Sequence, residues 1–526
     1  MTSLLRPRLL RATAAFALGL ALAAPARADV TADQVWEYLR LATSVQGITL
    51  SANHSRRGDQ LLLTRVRLDL PDGSAVILPD IALHETPDHS VTVELPKRFP
   101  LTLDLPPKPG DPDMLSLTVA SPDLAITIRS LDAQVDYALS ASSISASLDK
   151  FDLAPGGTSG PIDVFFALAA ADLALDWKSA TTSRERSGDS QLSVGTIHAE
   201  FRIDAPDEPL KAAAALDISA LSAKLKAFAP ADSWYVLDEI DRTGRPSFPE
   251  LMDLTDRGLM LDASVTYGPI AVTMDAPVSP DGPTAAEFSA SKGGISLGFD
   301  RKGFAYDESW GPSRVYVRTN DPTSPVATIE AMLEEYRTTW RLGFPDSATP
   351  DNAPEWGILF RLKGFGLSDQ LWSLADPQKL LPHDPMSLVI DLSGTYTLDP
   401  KVMAPDWAPK PDDPPPVTAA SLNLTDFLVS GLGLSLTGSG GFGFDFTDMT
   451  TFDGAPLPSG KMSFVTIGAN GLIDRLDRMG VLPEEDRTAA RFGLLFLGRI
   501  EGGEDRLVTG IEFRDRGFYL NGQKIR

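Results

Sequence analysis

The 526-residue sequence contains no cysteine. That excludes disulfides, thiolate zinc sites, iron–sulfur ligation and thiol catalysis, and also a lipid-modified leader, which needs a Cys at its cleavage point. Beyond the N-terminus no run of about 18 apolar residues occurs, so nothing matches the roughly 20 residues that carry a helix across a bilayer. Histidine is scarce, with five copies. There is no G-x-S-x-G elbow, H-E-x-x-H pair or P-loop, so the sequence offers an enzyme no nucleophile or metal to start from. Basic residues are outnumbered, 47 Lys and Arg against 71 Asp and Glu, for a net charge of −24. Nucleic-acid binding draws on clustered cations that release phosphate counterions, and this balance argues against such a partner.

What is present starts with an export address. Arg6, Arg8 and Arg11 precede an apolar stretch from Ala12 to Ala24, and Ala26-Arg27-Ala28 has the small-x-small cleavage pattern. Residues 1–28 therefore read as a signal peptide with Ala26 and Ala28 as the cleavage determinants, and the apolar run stops at Pro25, too short for an anchor. Losing Arg6, Arg8, Arg11 and Arg27 leaves 43 basic residues against 71 acidic, a net charge of −28. The expected product is a soluble periplasmic protein with no transmembrane anchor. Without disulfides, it must be stabilised by burial and backbone pairing, which favours large sheets.

Thr31 and Gln34 have the spacing of a capping box, and Val35, Leu39 and Ala42 share one helical face, predicting a short helix ended by Gly47. Period two then takes over. Val66, Leu68 and Leu70 alternate with Arg65, Arg67 and Asp69 before an Asp72-Gly73 turn; Val91, Val93 and Leu95, then Ile126 and Ile128, then Ile144, Ala146 and Leu148 follow the same rule. The alternation continues through 199–203, 259–273, 287–299 and 386–392. Many short strands with frequent turns predict antiparallel meanders, and the missing βαβ rhythm argues against a nucleotide-binding fold. In the second half, Ile329, Met332, Leu333, Tyr336 and Trp340 fit one helical face; further helices are expected at 368–375, 471–479 and 484–496, and a last hairpin around Asp515-Arg516-Gly517. Segments 105–113, 179–190 and the Pro-rich 404–417 read as loops. The predicted fold is mainly β (α+β), with extended antiparallel sheets, candidate groove formers, and a few short helices mostly in the C-terminal half. It is divided into a β-rich region 29–318 and an α+β region 319–526.

One strand is apolar on both faces. In Val164–Ala171, Val164, Phe166 and Leu168 alternate with Phe165, Ala167 and Ala169. Large side chains on one side make Val164, Phe166 and Leu168 candidate lining of an apolar groove, set against the plainer reading of a strand between two core layers. Other motifs carry less. Gly438-Ser-Gly-Gly-Phe-Gly443 matches G-x-G-x-x-G, but alternating Phe442, Phe444 and Phe446 follow where a phosphate site needs a helix. The bland reading is a glycine-rich bend between strands. His84 and His89 sit among carboxylates, but Pro87 breaks any helix that would align them. No cofactor or metal is expected. An outer-membrane barrel would show a sustained lipid-facing band with aromatic girdles, which helical segments and Pro-rich connections interrupt.

The second half resembles an uncharacterised exported alphaproteobacterial family, domain of unknown function 2125. The resemblance rests on Leu367-Ser-Asp-Gln-Leu-Trp-Ser-Leu-Ala-Asp-Pro377, Pro382-His-Asp-Pro385, Asp391-Leu-Ser-Gly394, Phe452-Asp-Gly-Ala-Pro-Leu-Pro-Ser-Gly460, Gly471-Leu-Ile-Asp-Arg-Leu476 and Gly517-Phe-Tyr-Leu-Asn-Gly-Gln523. It implies an exported protein and brings no catalytic or binding residues. Structurally, Trp372 reads as a core anchor, Gly394 and Gly460 as turns, and Asn521-Gly522 as a tight turn. Lipid-handling envelope families with grooved β-rich chains are similar in rhythm. The expected function is a non-catalytic envelope protein holding a lipid or other apolar ligand in a sheet-lined groove. A ligand-free scaffold with envelope partners is the alternative, and an undetected hydrolase a third. Arg56-Arg57 and Arg361-Leu-Lys363 are the basic segments available to offset the acidic surface at an anionic membrane.

Overall fold

A computed structural model describes residues 30–44, 47–104, 114–131, 134–153, 162–205, 210–233, 248–278, 282–319, 324–345, 353–403, 416–503 and 505–526. The expected leader with Ala26 and Ala28, and the loops at 105–113 and 404–415, lie outside them. Strand (64%) outweighs helix (13%), and every described strand pairing is antiparallel, so the protein is mainly β. Its backbone contacts separate two compact units: the described residues up to Ala231 with Val265–Ala285, and Asp232–Ser264 with Ala286–Arg526.

The first unit opens with helix α1 (Ala32–Ser44). The capping box forms as read: the Gln34 amide donates to Thr31 Oγ1 (3.3 Å) and the Thr31 amide donates to Gln34 Oε1 (2.9 Å), satisfying amides the helix itself leaves open. Glu85 adds to this by accepting the Ala32 amide at 2.8 Å. The buried side of α1, Val35 and Trp36, packs with Leu61, Leu63, Val66, Leu83, Val91 and Ile128. These come from strands β1 (Thr49–Arg57), β2 (Gln60–Asp69), β3 (Ala75–Ile77), β4 (Ile81–Glu85), β5 (Val91–Glu94), β6 (Arg98–Asp104), β7 (Met114–Ala120) and β8 (Ala125–Leu131), or support those that do. β2 pairs β3 near one end and β4 near the other, and the two tracks β3–β6–β7 and β4–β5–β8 rejoin on strand β9 (Gln134–Leu153). From there three more strands of about equal length follow as simple hairpins: β10 (Ile162–Thr181), β11 (Glu185–Ala205) and β12 (Leu210–Pro230). The segment 179–190, read from sequence as a loop, is instead the paired ends of β10 and β11, Ser179 opposite Gly188 and Thr181 opposite Arg186. Its residues are polar because these strand ends are, and backbone pairing does not require apolar side chains.

The second unit contains helix α2 (Phe248–Asp256), which the sequence reading did not anticipate. Strands β13 (Met260–Tyr267), β14 (Ile270–Val278) and β15 (Thr284–Ala290) fall around the boundary between the units. β16 (Gly293–Asp300), β17 (Gly303–Trp310), β18 (Ser313–Thr319), β19 (Thr328–Leu333), β20 (Glu335–Gly343) and β21 (Glu355–Leu367) repeat the forked arrangement, β17–β20 and β18–β19 both reaching β21. Helix α3 (Asp369–Ala375), β22 (Met386–Leu398), β23 (Val417–Gly431), β24 (Leu434–Asp445) and β25 (Leu457–Ile467) then precede helices α4 (Ala469–Arg478) and α5 (Glu484–Leu497). β26 (Arg499–Ile500), β27 (Arg506–Arg514), β28 (Gly517–Leu520) and β29 (Gln523–Lys524) close the chain, with left-handed Asp515 and Arg516 making the expected hairpin and Asn521-Gly522 the last turn.

The helix expected across 329–340 does not form. Ile329 and Met332 lie in β19, and Tyr336 and Trp340 in β20. The same residues satisfy period two, since Tyr336, Thr338, Trp340 and Leu342 alternate, and pairing on both sides of β20 decides the outcome. Gly394 and Gly460 are likewise interior to β22 and β25, not turns. A methyl group at Gly394 would stand 1.9 Å from the Ser421 carbonyl oxygen and 2.6 Å from Trp356 Nε1. Backbone cannot yield there as a side chain does, so Gly394→Ala should lose at least ~1–3 kcal/mol of stability, read as a lowered urea midpoint; an unchanged midpoint would show that β22 and β23 can separate freely.

Between β24 and β25, Asp448 accepts hydrogen bonds from the hydroxyl and amide of Thr451 (2.8 and 3.1 Å) and of Thr450 (3.0 and 3.2 Å). The Thr451 donors, chiefly its hydroxyl, hold this carboxyl well down, from 3.8 to about 2. Because the folded value lies below the unfolded one, the unfolded chain takes up the proton first. The contribution of Asp448 is complete above about pH 4 and is lost as pH falls through about 2. The stability difference between wild type and Asp448→Asn, followed by urea unfolding, is therefore expected to shrink across that window, and a constant difference would contradict it.

Candidate functional site

Strands β9–β12 build one continuous apolar face. Register places Leu148 beside Phe166, Ala146 beside Leu168 and Ile144 beside Ala170. Phe166 is opposite Phe201, Leu168 opposite Ala199, and Ala199 in turn opposite Leu216. Val164, the third candidate lining residue, is opposite Ile203. The structure thus puts Val164, Phe166 and Leu168 on the same face of β10 and surrounds them with apolar neighbours from three other strands.

Simple alternation would turn this face over halfway along. It does not, because β10 and β12 each place one left-handed residue along a single line that crosses β11 at Gly195. Asp172 (φ 53°) and Ala220 (φ 50°) are left-handed, and Gly195 sits where a Cβ would meet Asp172 Oδ2 at 2.8 Å. Beyond that line the apolar parity flips in every strand: Ala141, Leu139 and Tyr137 in β9, Leu173, Leu175 and Trp177 in β10, Val194 and Leu192 in β11, Leu221, Ala223 and Leu225 in β12. Exposure follows the flip. In β12, Lys211 and Asp217 are exposed before it, Lys224 and Lys226 after it. A side chain reverses face with each residue of a strand, so the inserted residue is what keeps the face single.

The reverse face is polar. Ser143, Ser145 and Ser147 line it on β9; His198 Nδ1 meets Asp217 Oδ1 at 2.7 Å, Arg202 pairs Glu200 at 3.0 Å and lies over the Phe165 ring at 4.0 Å, and Lys211 pairs Asp204 at 3.2 Å. This is the side that meets water.

The apolar face is not a closed core. None of the side chains from Val164 to Trp177 in β10 is buried, and in β12 every apolar-face position from Leu210 to Ala229 stays half-exposed. In a packed interior such residues touch neighbours on all sides. Burial is local: Ala141, Leu148, Val194, Ile203 and Ala205 of this face are buried, and near α1 Tyr137 stacks on Trp177 at 6.2 Å and packs against the α1 core, where burial raises its phenol pKa, with Tyr38 adding to the shift. Twenty-residue strands at about 3.3 Å per residue, four of them separated by three gaps of about 4.8 Å, give a face of roughly 950 Å² in projection.

The second unit bears a face of the same kind. Phe304, Tyr306 and Trp310 of β17, Trp340 and Leu342 of β20, and Trp356, Ile358 and Phe360 of β21 lie in register. Trp340 is 55% exposed, Leu342 44% and Ile358 41%. Gly438, the first glycine of the Gly-rich motif, is inside β24 rather than at a bend; the Phe464 ring lies over it, where a Cβ would be 2.4 Å away, and makes an edge contact with Phe427 at 5.9 Å. The glycines make room for aromatic rings on the sheet, an arrangement that offers no anion site.

The histidines do not converge. His84 meets Glu94 at 2.9 Å across β4 and β5, His89 occupies a turn with φ 67°, and His383 stacks on buried Trp372 at 4.6 Å. Among the described residues no three metal-ligating side chains gather, and no helix is long and apolar enough to cross a membrane. In the basic segments, Arg56 forks onto Glu85 (2.8 and 2.7 Å) and pairs with Asp33, and Arg361 pairs with Glu335 at 3.3 Å. No family model, curated protein or solved structure matches the chain.

Proposed function

We propose that this is a non-catalytic, exported envelope protein of the periplasm that holds lipid or another elongated apolar ligand along the face of β9–β12. The observation that supports it is that the apolar-face positions of β10 and β12 stay half-exposed while the reverse carries ion pairs. Each Å² of that face left exposed costs about 25 cal/mol of hydration that a bound acyl chain recovers. One leaflet of hydrocarbon is about 15 Å thick, half the bilayer core. That matches the width of four strands, so acyl chains lying across the strands would stack several deep along the length of the face. Native mass spectrometry of protein purified without harsh detergent is expected to show a ladder of adducts of lipid mass, recovered by solvent extraction. A single ligand-free mass would sink the reading and favour a bare scaffold. Membership in the domain of unknown function 2125 family is part of the same proposal; its support is the motif set, which falls on α3, the loop after β24, α4 and the closing hairpin.

A further inference from the structure

We propose that the C-terminal end of helix α5 is a membrane-docking element that inserts into the headgroup layer of a phospholipid bilayer. The inference builds on the lipid-binding reading above, since a lipid carrier needs a place to meet the membrane it exchanges with. Helix α5 has no buried residue. Its last turns, Phe492-Gly-Leu-Leu-Phe-Leu497, present Phe492 and Phe496 at 69% exposure, Leu495 at 62% and Leu497 at 51%, and Ile500 just beyond is 56% exposed. At 100° per residue Phe492, Leu495 and Phe496 share one stripe of about 100° and Leu497 lies about 100° beyond it, so the apolar surface spreads over about 200° at the helix end, wider than a single packing stripe.

Length and charge select the occupant. Six residues at 1.5 Å rise give about 9 Å, within the 5–10 Å an interfacial segment penetrates and far short of a 30 Å span. Within the helix, acidic residues are confined to the first turn, Glu484, Glu485 and Asp486, about 9 Å or more back along the axis from Phe492. The apolar end is flanked by Arg491 and Arg499, with side chains 47% and 65% exposed. They now pair with Asp474 and, at 3.1 Å, Glu501; such exposed pairs exchange readily for a lipid phosphate, and long cationic side chains extend to the headgroup level. In a chain of net charge −24, the charges of these two pairs cancel at the apolar end.

The test is co-flotation of the full chain with phosphatidylcholine vesicles, with and without phosphatidylglycerol. Wild type is expected to float. Phe492→Asp/Phe496→Asp is expected to lose at least tenfold in partition, and Leu41→Asp, which alters an exposed leucine on α1 (46%), to float as wild type does. Lipid content of the purified double variant is measured alongside: unchanged adducts with lost flotation separate docking from ligand holding. Wild type that does not float, or a double variant that floats equally well, overturns the proposal. So does sedimentation showing that wild type self-associates and the double variant is monomeric while vesicle binding is unaffected, because a second copy would then be what covers the helix.

Discussion

Leu83→Ala is expected to remove ~2–5 kcal/mol of stability from the first unit, whereas Leu216→Ala on the β9–β12 face should cost only about 1 kcal/mol or less. The chemistry of the two changes is identical; the surroundings are not. Leu83 is 0% exposed and sits among Leu61, Leu63, Val66 and Val91, so its truncation loses transfer free energy and leaves a cavity. Leu216 is half-exposed along with the rest of its strand's apolar positions. Its loss removes only part of the transfer term, because part of its surface is exposed already. Urea unfolding of ligand-stripped protein measures both. Equal costs would mean that the β9–β12 face is an ordinary filled core and that its apparent openness has been misread.

The second large effect concerns occupancy. Leu168→Glu with Leu216→Glu places two carboxylates in one row of the face, on strands separated only by β11. Facing water they are tolerated. Under an acyl chain each would have to give up its hydration without a partner, at a cost of several kcal/mol, while ~1.4 kcal/mol already amounts to a tenfold change in binding. Bound lipid, measured by extraction from the purified variant, should therefore fall at least tenfold while circular dichroism remains that of the wild-type sheet. Retention of full lipid content would place the ligand elsewhere.

Much of this was legible from local chemistry. The capping box at Thr31 and Gln34, the turns at Asp72-Gly73 and Asp515-Arg516-Gly517, and helices α3, α4 and α5 all rest on interactions among neighbours in sequence. The candidate lining Val164, Phe166 and Leu168 came from alternation within one strand, and alternation is also what could have located the kink line: the apolar parity moves from Ala170 to Leu173 across Asp172. The misreadings share a cause. Around Tyr336 and Trp340 two periods fit equally, and only the partners β17 and β21 choose between them. At 179–190 polar strand ends gave no pattern, although their backbones pair. At Gly394 and Gly460 the reason for glycine is a carbonyl of another strand, which sequence spacing cannot reveal. The openness of the apolar face belongs to the same class, since it depends on what fails to pack above it.

The most direct test is photo-crosslinking in cells from single positions of β10, followed by mass analysis of the adducts. A photoreactive side chain at Leu168 or at Leu175, on either side of the kink, is predicted to capture lipid, while one at Ala169 or Asp176, on the polar reverse, captures none. Lipid adducts at all four positions, or at none, would contradict an apolar ligand held on this face.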